Sequence, residues 1–578
     1  MDKTLSADIK KLPRHFLPQD FKIENWDQLK PWFDELLNRQ VQSKIELEKW
    51  LLDGSELEAA ISEDACWRQI KMTCDTENKE LEDGFNYFVL HIQPHVQAYS
   101  DALNKKLIQN ECIKELDSET YLPYLRTIEK NIDLFREENI PLQAELAVLQ
   151  QQFGQITGRM TIEHKDKEYT LQQATKFLHS KDRNERESVY TKIQERRYKD
   201  RETLNTLFST LLEKRQQIAV NAGFENFRDY KFKELGRFDY SPEDCFRFHE
   251  GVKQHVIPLV KSIYEEKRDK LGLTDLKPWD LEAEPEGVEP LRPFDGGNDL
   301  LQKSKEVMRS LHPFFADCLS TMENMGHFDL ESRKGKAPGG YNCPLVESGA
   351  PFIFMNAANQ MDDVITMVHE GGHAVHSFLT HPLQLTGFKE YPMEIAEVAS
   401  MAMELFSMDH WAPFFADAEN LKRAKLHQLE RTITIFPWIA TIDKFQHWIY
   451  TNPGHSLLQR QDAWLTILDE YDSGAVDFSG VMHYRPYHWQ RQLHLFEVPF
   501  YYIEYGIAQL GAIGLWMQYK ENPEKALKNY MGALKLGSTK TLPELYAAAG
   551  LDFNFSAEHI KRLMDFVKAE KLKIETGR

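Results

Sequence analysis

The sequence predicts a mainly α-helical protein built from two or more lobes. Three observations carry this expectation. The 578 residues exceed what a single hydrophobic core organises. The first half repeats apolar positions at helical spacing and offers few strand candidates. A hydrophobic fraction of 42% beside 28% charged residues is that of a water-soluble globular chain. No run reaches the roughly 20 apolar residues that span a bilayer, so a membrane-embedded role is set aside.

Taken in order, residues 20–52 carry apolar side chains at helical spacing and stop at Gly54, where Ser55 and Glu58 form a capping box for the next helix. Residues 160–169, MTIEHKDKEY, alternate around a polar HKDK and predict a β-hairpin, after which Thr170 opens another helix. Helices resume to about residue 272. Pro, Gly and acidic residues mark 277–297 as a loop, and GKAPGGYNCP at 335–344 is a second. The short apolar run APFIFM at 350–355 reads as a strand.

Composition narrows the function classes. Seventy Lys and Arg against ninety Asp and Glu leave a formal charge of -20, which repels polyphosphate and argues against nucleic acid as a partner. The cysteines at 66, 74, 112, 245, 318 and 343 form no CxxC pair and fit reduced, mostly buried thiols better than a disulfide framework. The leading segment MDKTLSADIKKLPRHFLP lacks the apolar stretch of a secretory signal. Both point to the cytoplasm.

The chemistry is carried by DDVITMVHEGGHAVHSFL, which begins at Asp362. Apolar residues at 364, 367, 368, 375, 378 and 379, acidic residues at the start and His381-Pro382 at the end predict a helix of about 20 residues. His369 and His373 then stand one turn apart on one face, within reach of a single Zn2+, and Glu370 sits beside them with its carboxylate free. A chain with 21 histidines meets HExxH by chance at an appreciable rate, and two surface histidines on an ordinary helix would be the plain reading. Against it, the histidines lie in an apolar segment where unpartnered imidazoles are costly. Gly371 and Gly372, poor helix formers, also imply that something approaches the backbone closely there. A hydrolytic zinc site needs one more protein ligand and an open position. His376, about 10 Å further along the axis, is out of reach. On the helix predicted from about residue 393, Glu394, Glu397 and Glu404 all compete, and spacing does not choose among them.

With these motifs in view, residues 335–510 resemble the thimet-oligopeptidase-like family of zinc peptidases, in its oligoendopeptidase F branch. The resemblance rests on the glycine loop, PFIFMN, DDVITMVHEGGHAVH, EIAEVASMAMELF and HLFEVPFYYIEYG, and less specifically on MTIEHKDKEYTL and AVNAGFENFRDY. It implies two helical lobes around a deep substrate channel, with a small β-sheet beside the zinc-binding helix. Residues 1–200 would form an N-terminal helical region covering the channel and residues 201–578 the catalytic region.

The resemblance also implies one Zn2+ per chain held by His369, His373 and Glu397, with Glu404 and Ser400 supporting the ligands. It assigns hydrogen bonding to the tetrahedral intermediate to His494, Tyr502 and Tyr505. Tyr502 and Tyr505 lie three apart on a helix expected to begin near Pro499. The spacing from His494 is one residue shorter than the family pattern, which leaves Tyr501 as an alternative to Tyr502. Tyr501, Gly339 and Gly340 are expected to contact substrate.

The function these residues point to is hydrolysis of internal bonds in short, unfolded peptides. A water activated at the zinc would give its proton to Glu370, which would return it to the leaving amine. The strand at 352–355 is expected to offer an edge to an extended peptide. A zinc carboxypeptidase of related helical fold and a non-catalytic peptide-binding protein are the competing readings.

Overall fold

The structure, a computed structural model, describes residues 6–9 and 13–577 and is mainly helical. Helix α1 (Trp26–Asn38) starts on Asn25 and α2 (Lys44–Cys74) on Ser43, whose side chains accept from backbone N–H groups of the first turn. The stop expected at Gly54 does not occur, because α2 runs through it. Leu47, Trp50, Leu51 and Leu57 bury one face of α2 across that point. Burial at about 1.5–3 kcal/mol per large apolar side chain outweighs the roughly 1 kcal/mol that a helical glycine costs. Ser55 serves a tertiary contact instead: Thr386 Oγ1 donates to its carbonyl (2.9 Å) and Thr386 N to its hydroxyl (3.2 Å).

Helices α1, α2, α3 (Gln93–Ile108) and α4 (Ser118–Leu134) surround a smaller core running from Leu17 to Ile128, joined by Leu385 and Phe388 from far along the chain. Helix α5 (Asn139–Gly158) serves two cores. Ala144, Ala147 and Val148 pack on the smaller one, and Leu146 and Phe153 belong to the larger. The hairpin forms as β1 (Thr161–His164) and β2 (Lys167–Thr170), antiparallel, with Lys165 and Asp166 at φ 50 and 59 in its two-residue turn. Thr170 caps the following helix in a capping box with Gln173. Helices α6 (Arg183–Lys199), α7 (Arg201–Asn221) and α8 (Pro242–His255) come next. The loop at 277–297 holds only one short 3-10 turn before the helix that starts at Gly296.

Strands β3 (Phe328–Glu331), β4 (Tyr341–Cys343) and β5 (Phe352–Ala357) form a sheet in the order β3-β5-β4, with β5 parallel to β3 and antiparallel to β4. The strand at 352–355 is therefore central and offers no edge, contrary to expectation. Phe352, Ile353, Phe354 and Met355 are all buried, the apolar run of a strand covered on both faces. The free edge on the glycine-loop side belongs to β4.

From β5 the chain enters α9 (Met361–Thr380), then α10 (Met393–Ser407), α11 (Ala418–Thr451), α12 (Tyr502–Glu521) and α13 (Ala557–Thr576). Helix α10 lies between α9 and α12 and is buried from Glu394 to Ser407. Cys66 on α2 and Cys343 on β4 form a disulfide, which corrects the expectation of reduced thiols throughout; Cys74, Cys112, Cys245 and Cys318 are free. The partners are 277 residues apart, so no local spacing announces the pair. Among the described residues no helix is long and apolar enough to cross a membrane.

Candidate active site

A cavity of about 1130 Å³ lies between α2 and α5 on one side and β4, α9 and the segment 484–505 on the other. It exceeds the roughly 300–1,000 Å³ of most small-molecule pockets. Helix α9 brings His369 and His373 to its wall with ring centroids 5.0 Å apart. Glu397 comes from α10, its Oε2 lying 3.3 Å from His369 Nε2 and 3.5 Å from His373 Nε2. The two helices come this close because position 372 lacks a side chain: a Cβ there would stand 2.5 Å from the carbonyl oxygen of Ala399. The close approach expected at the glycine pair is thus made by the neighbouring helix.

The ligand atoms of His369, His373 and Glu397 lie within 4.8 Å of one another. His369 Nδ1 donates to Glu404 Oε1 (2.7 Å), which turns Nε2 toward Glu397 as the nitrogen available to an ion. Glu404 is held in turn by Gln428 Nε2 (2.8 Å) and Arg431 Nη1 (3.3 Å). Ser400 Oγ donates to Glu397 Oε2 (2.9 Å), and the Tyr501 hydroxyl donates to Glu397 Oε1. Burial lowers the pKa of His369, but the carboxylates of Glu397 and Glu404 overcome it and hold the imidazole well above its ordinary value. Burial pushes Glu397 up, and His373 and His369 prevail and keep it well below the usual carboxylate range. The cluster is a seat for positive charge.

Two imidazole nitrogens and a carboxylate, with the fourth direction open, are the donor set of a hydrolytic Zn2+ site, so the residues present fit zinc. Glu370 is buried beside them with Oε2 lacking a partner, and burial raises its carboxyl above the ordinary value. Glu394 is engaged elsewhere, accepting from the Tyr240 hydroxyl (2.6 Å), and His376 stacks on Tyr391 at 3.5 Å.

The opposite wall is a relay of hydrogen bonds. Trp438 Nε1 donates to Gln492 Oε1 (2.8 Å) and Gln492 Nε2 to His494 Nδ1 (2.7 Å), so His494 carries its proton on Nε2 and donates it to the Tyr505 hydroxyl (3.1 Å). Burial pulls His494 down to about 4, leaving it neutral at neutral pH. Burial likewise raises Tyr501 and Tyr505 well above ordinary phenols, so both stay protonated donors.

The chain turns at Phe500, in the left-handed region at φ 66, and α12 starts only at Tyr502. Tyr501 therefore stands ahead of the helix and lines the cavity with Tyr505. Tyr502 is absent from the main cavity and lines a smaller adjoining pocket that His369, Glu370 and Tyr505 also reach, its ring edge against His494 at 5.0 Å. Gly339, at φ 93, and Gly340 also line the cavity, and a Cβ at 340 would stand 3.8 Å from Glu370 Oε1.

Several residues that shape the site carry no local signal in the sequence. Arg215, buried, donates to the Tyr450 hydroxyl (2.8 Å), to the Leu495 carbonyl (3.0 Å) and to the Phe496 carbonyl. Arg237 donates to the Phe500 carbonyl and to Glu504 (3.0 Å), so two buried guanidiniums clamp the segment between His494 and Tyr501. Arg197 and Arg491 line the cavity itself and pair with no carboxylate among the described residues. Burial, together with Arg491, brings Arg197 down to about 10.

Comparison with known proteins agrees with this geometry. The sequence matches the family described as peptidase family M3 over residues 176–565 and the peptidase M3 N-terminal domain over residues 16–135. It is 23% identical over 392 residues to an oligoendopeptidase F homolog of Lactococcus lactis subsp. lactis (strain IL1403), covering 65% of this chain and 61% of that one. It is 24% identical over 399 residues to oligopeptidase PepF of Bacillus subtilis (strain 168), covering 67% and 57%. The chain thus spans about three fifths of the length of the curated relatives it matches. The solved structure of PZ peptidase A with inhibitor 2 shares the fold, at a TM-score of 0.91 and 24% identity over 96% of this chain and 98% of that one. The M3 match takes in more than half of the sequence and every helix that brings a side chain to the donor cluster, and the chain belongs to peptidase family M3.

Proposed function

We propose that the protein is a zinc-dependent endopeptidase that hydrolyses internal bonds of short, unfolded peptides. One observation carries the reading: the donor atoms of His369, His373 and Glu397 converge beside the unpartnered carboxylate oxygen of Glu370, on the wall of a cavity large enough for a peptide. When bound there, zinc supplies Lewis acidity toward a water and the scissile carbonyl. Glu370 takes the proton of the attacking water on Oε2 and delivers it to the leaving amine. A carboxyl raised by burial suits a group that both accepts and releases a proton.

Tyr505 accepts from His494, so its own proton is free to point at the oxygen on which charge develops. Tyr501 lines the main cavity, which Tyr502 does not, and this favours Tyr501 as the second hydroxyl once its proton turns from Glu397 to the substrate oxygen. The bare backbone at Gly340 leaves room for substrate next to Glu370, and the outer edge of β4 offers main-chain groups to an extended peptide, a contact that reads sequence weakly. Residues 1–200 act as the covering region over the catalytic region 201–578, supported by α2 and α5 lining the cavity opposite the donor cluster. Such a covered site admits flexible peptides and excludes folded proteins. The formal charge of -20 disfavours nucleic acid. A cytoplasmic location rests on the four free thiols, with the Cys66–Cys343 disulfide standing against it.

The test uses a peptide blocked at both ends. Glu370→Gln is expected to abolish its cleavage while metal content stays at that of the parent protein; retained hydrolysis overturns the assignment of the base. Internal cuts by the parent protein identify an endopeptidase, whereas a carboxypeptidase leaves the blocked peptide intact.

A further inference from the structure

We propose that a second zinc-class ion is held in the interior by Cys245, His249, Asp443 and His447, with a structural rather than catalytic role. The residues form two pairs at i, i+4 spacing, Cys245 and His249 on α8 and Asp443 and His447 on α11, on helices that pack together. Ligand atoms of Cys245, Asp443 and His447 lie within 4.8 Å of one another. Asp443 Oδ2 is 3.3 Å from His447 Nε2 and 2.8 Å from His249 Nε2. Donors 2.0–2.3 Å from a tetrahedral ion stand about 3.3–3.8 Å apart, so small movements suffice for Cys245, Asp443 and His447, while His249 Nε2 completes the shell by exchanging its hydrogen bond to Asp443 for the ion.

Burial and unmet hydrogen-bonding capacity point to a ligand. All four residues are at most 4% exposed. His249 Nδ1, Asp443 Oδ1 and His447 Nδ1 have no hydrogen-bond partner, and His447 Nε2 has only the 3.3 Å contact with Asp443. Each such buried group costs about 1–3 kcal/mol, and finding three in one cluster is unusual. A thiolate and a carboxylate balance two positive charges, so the loaded site is neutral and Asp443, with no exposure at all, gains a full counter-ion. Phe246, 40% exposed, packs against the rings of both His447 (centroids 4.8 Å apart) and His249 (5.9 Å), so the cluster lies one aromatic ring beneath the surface.

The position of the site gives it a purpose. His447 packs on Phe500 with centroids 5.3 Å apart, and the neighbouring Gln446 accepts from the Phe500 N–H (2.6 Å). An ion here pins α8 to α11 behind the turn that sets Tyr501.

Cobalt substitution tests this, because the catalytic cluster contains no thiol. Metal-stripped full-length protein reloaded with Co2+ is expected to take up about two ions per chain and to show the near-ultraviolet thiolate-to-cobalt charge-transfer band. Cys245→Ser should remove the band and one ion. The double substitution His369→Ala with His373→Ala should remove the other ion and keep the band. A folded, cobalt-loaded parent protein without the band, or a band that survives Cys245→Ser, overturns the proposal. Should Cys245→Ser fail to fold, the double variant decides alone: one ion with the band supports the site, and no ion refutes it.

Discussion

His369 Nδ1 and Glu404 Oε1 stand 2.7 Å apart, and this hydrogen bond determines which nitrogen His369 turns toward Glu397 and His373. Removing the acceptor frees the ring to rotate and to protonate on the wrong nitrogen. Glu404→Ala is expected to weaken zinc binding about 10–100-fold, and Glu404→Gln, which keeps an acceptor, by less. Titration against a competing chelator measures the affinities, and circular dichroism reports whether the helices persist. Equal affinity in Glu404→Ala and the parent would refute an orienting role.

The three tyrosines near residue 501 should separate cleanly. Tyr505→Phe removes a donor aimed at the developing oxyanion and is expected to lower kcat about 10²–10³-fold with KM little changed. Tyr501→Phe removes the hydroxyl on Glu397 and should cost about 10–100-fold in zinc affinity along with activity. Tyr502 does not line the main cavity, so Tyr502→Phe should stay within a few-fold of the parent. Steady-state kinetics on all three decide, and a Tyr502→Phe as damaged as Tyr505→Phe would reverse the assignment.

What the sequence discloses and what it hides follow one physical division. The helix bearing His369, Glu370 and His373 is legible because its periodicity, acidic start and proline stop are all local. Three glutamates on the next helix remain indistinguishable because the choice depends on how α10 crosses α9 at Gly372, a tertiary fact. Gly54 misleads for the same reason: burial of α2 overrides a local stop signal. An apolar run such as 352–355 signals a strand but not its place in the sheet, and the Cys66–Cys343 pair exists only after α2 docks on β4. Whether Tyr501 lies inside or outside α12 turns on a positive φ at Phe500, a conformation that phenylalanine rarely adopts and no neighbouring residue announces.

Two glycines in helices offer opposite outcomes from one substitution. At Gly372 a methyl group would stand 2.5 Å from the Ala399 carbonyl and 2.6 Å from Ser400 Cα, backbone that cannot step aside without moving Glu397. Gly372→Ala should therefore destabilise by about 1–3 kcal/mol and reduce zinc affinity. At Gly54 nothing lies within 4 Å, so Gly54→Ala should stabilise by about 0.5–1 kcal/mol through the lower entropy of the unfolded chain. Denaturant unfolding of both variants checks the signs. Similar stability changes at the two positions would mean that helix propensity, not the α9–α10 contact, governs Gly372.

Arg197 and Arg491 bring two guanidiniums to the cavity that pair with no carboxylate among the described residues, in a chain whose formal charge is -20. Even brought down to about 10, Arg197 stays protonated at neutral pH. The anion a peptide always carries is its terminal carboxylate, so peptides with a free C-terminus should bind better than their amides. A hydrogen bond to a charged group contributes about 1.5–3 kcal/mol, which corresponds to a KM roughly 10–100-fold higher for the amide with kcat little altered. In Arg491→Ala the free acid should lose this advantage and behave like the amide, since the variant removes the group that distinguishes them. Matched peptide pairs assayed on both proteins measure it. An unchanged preference in Arg197→Ala and Arg491→Ala alike would assign the carboxylate to another part of the cavity.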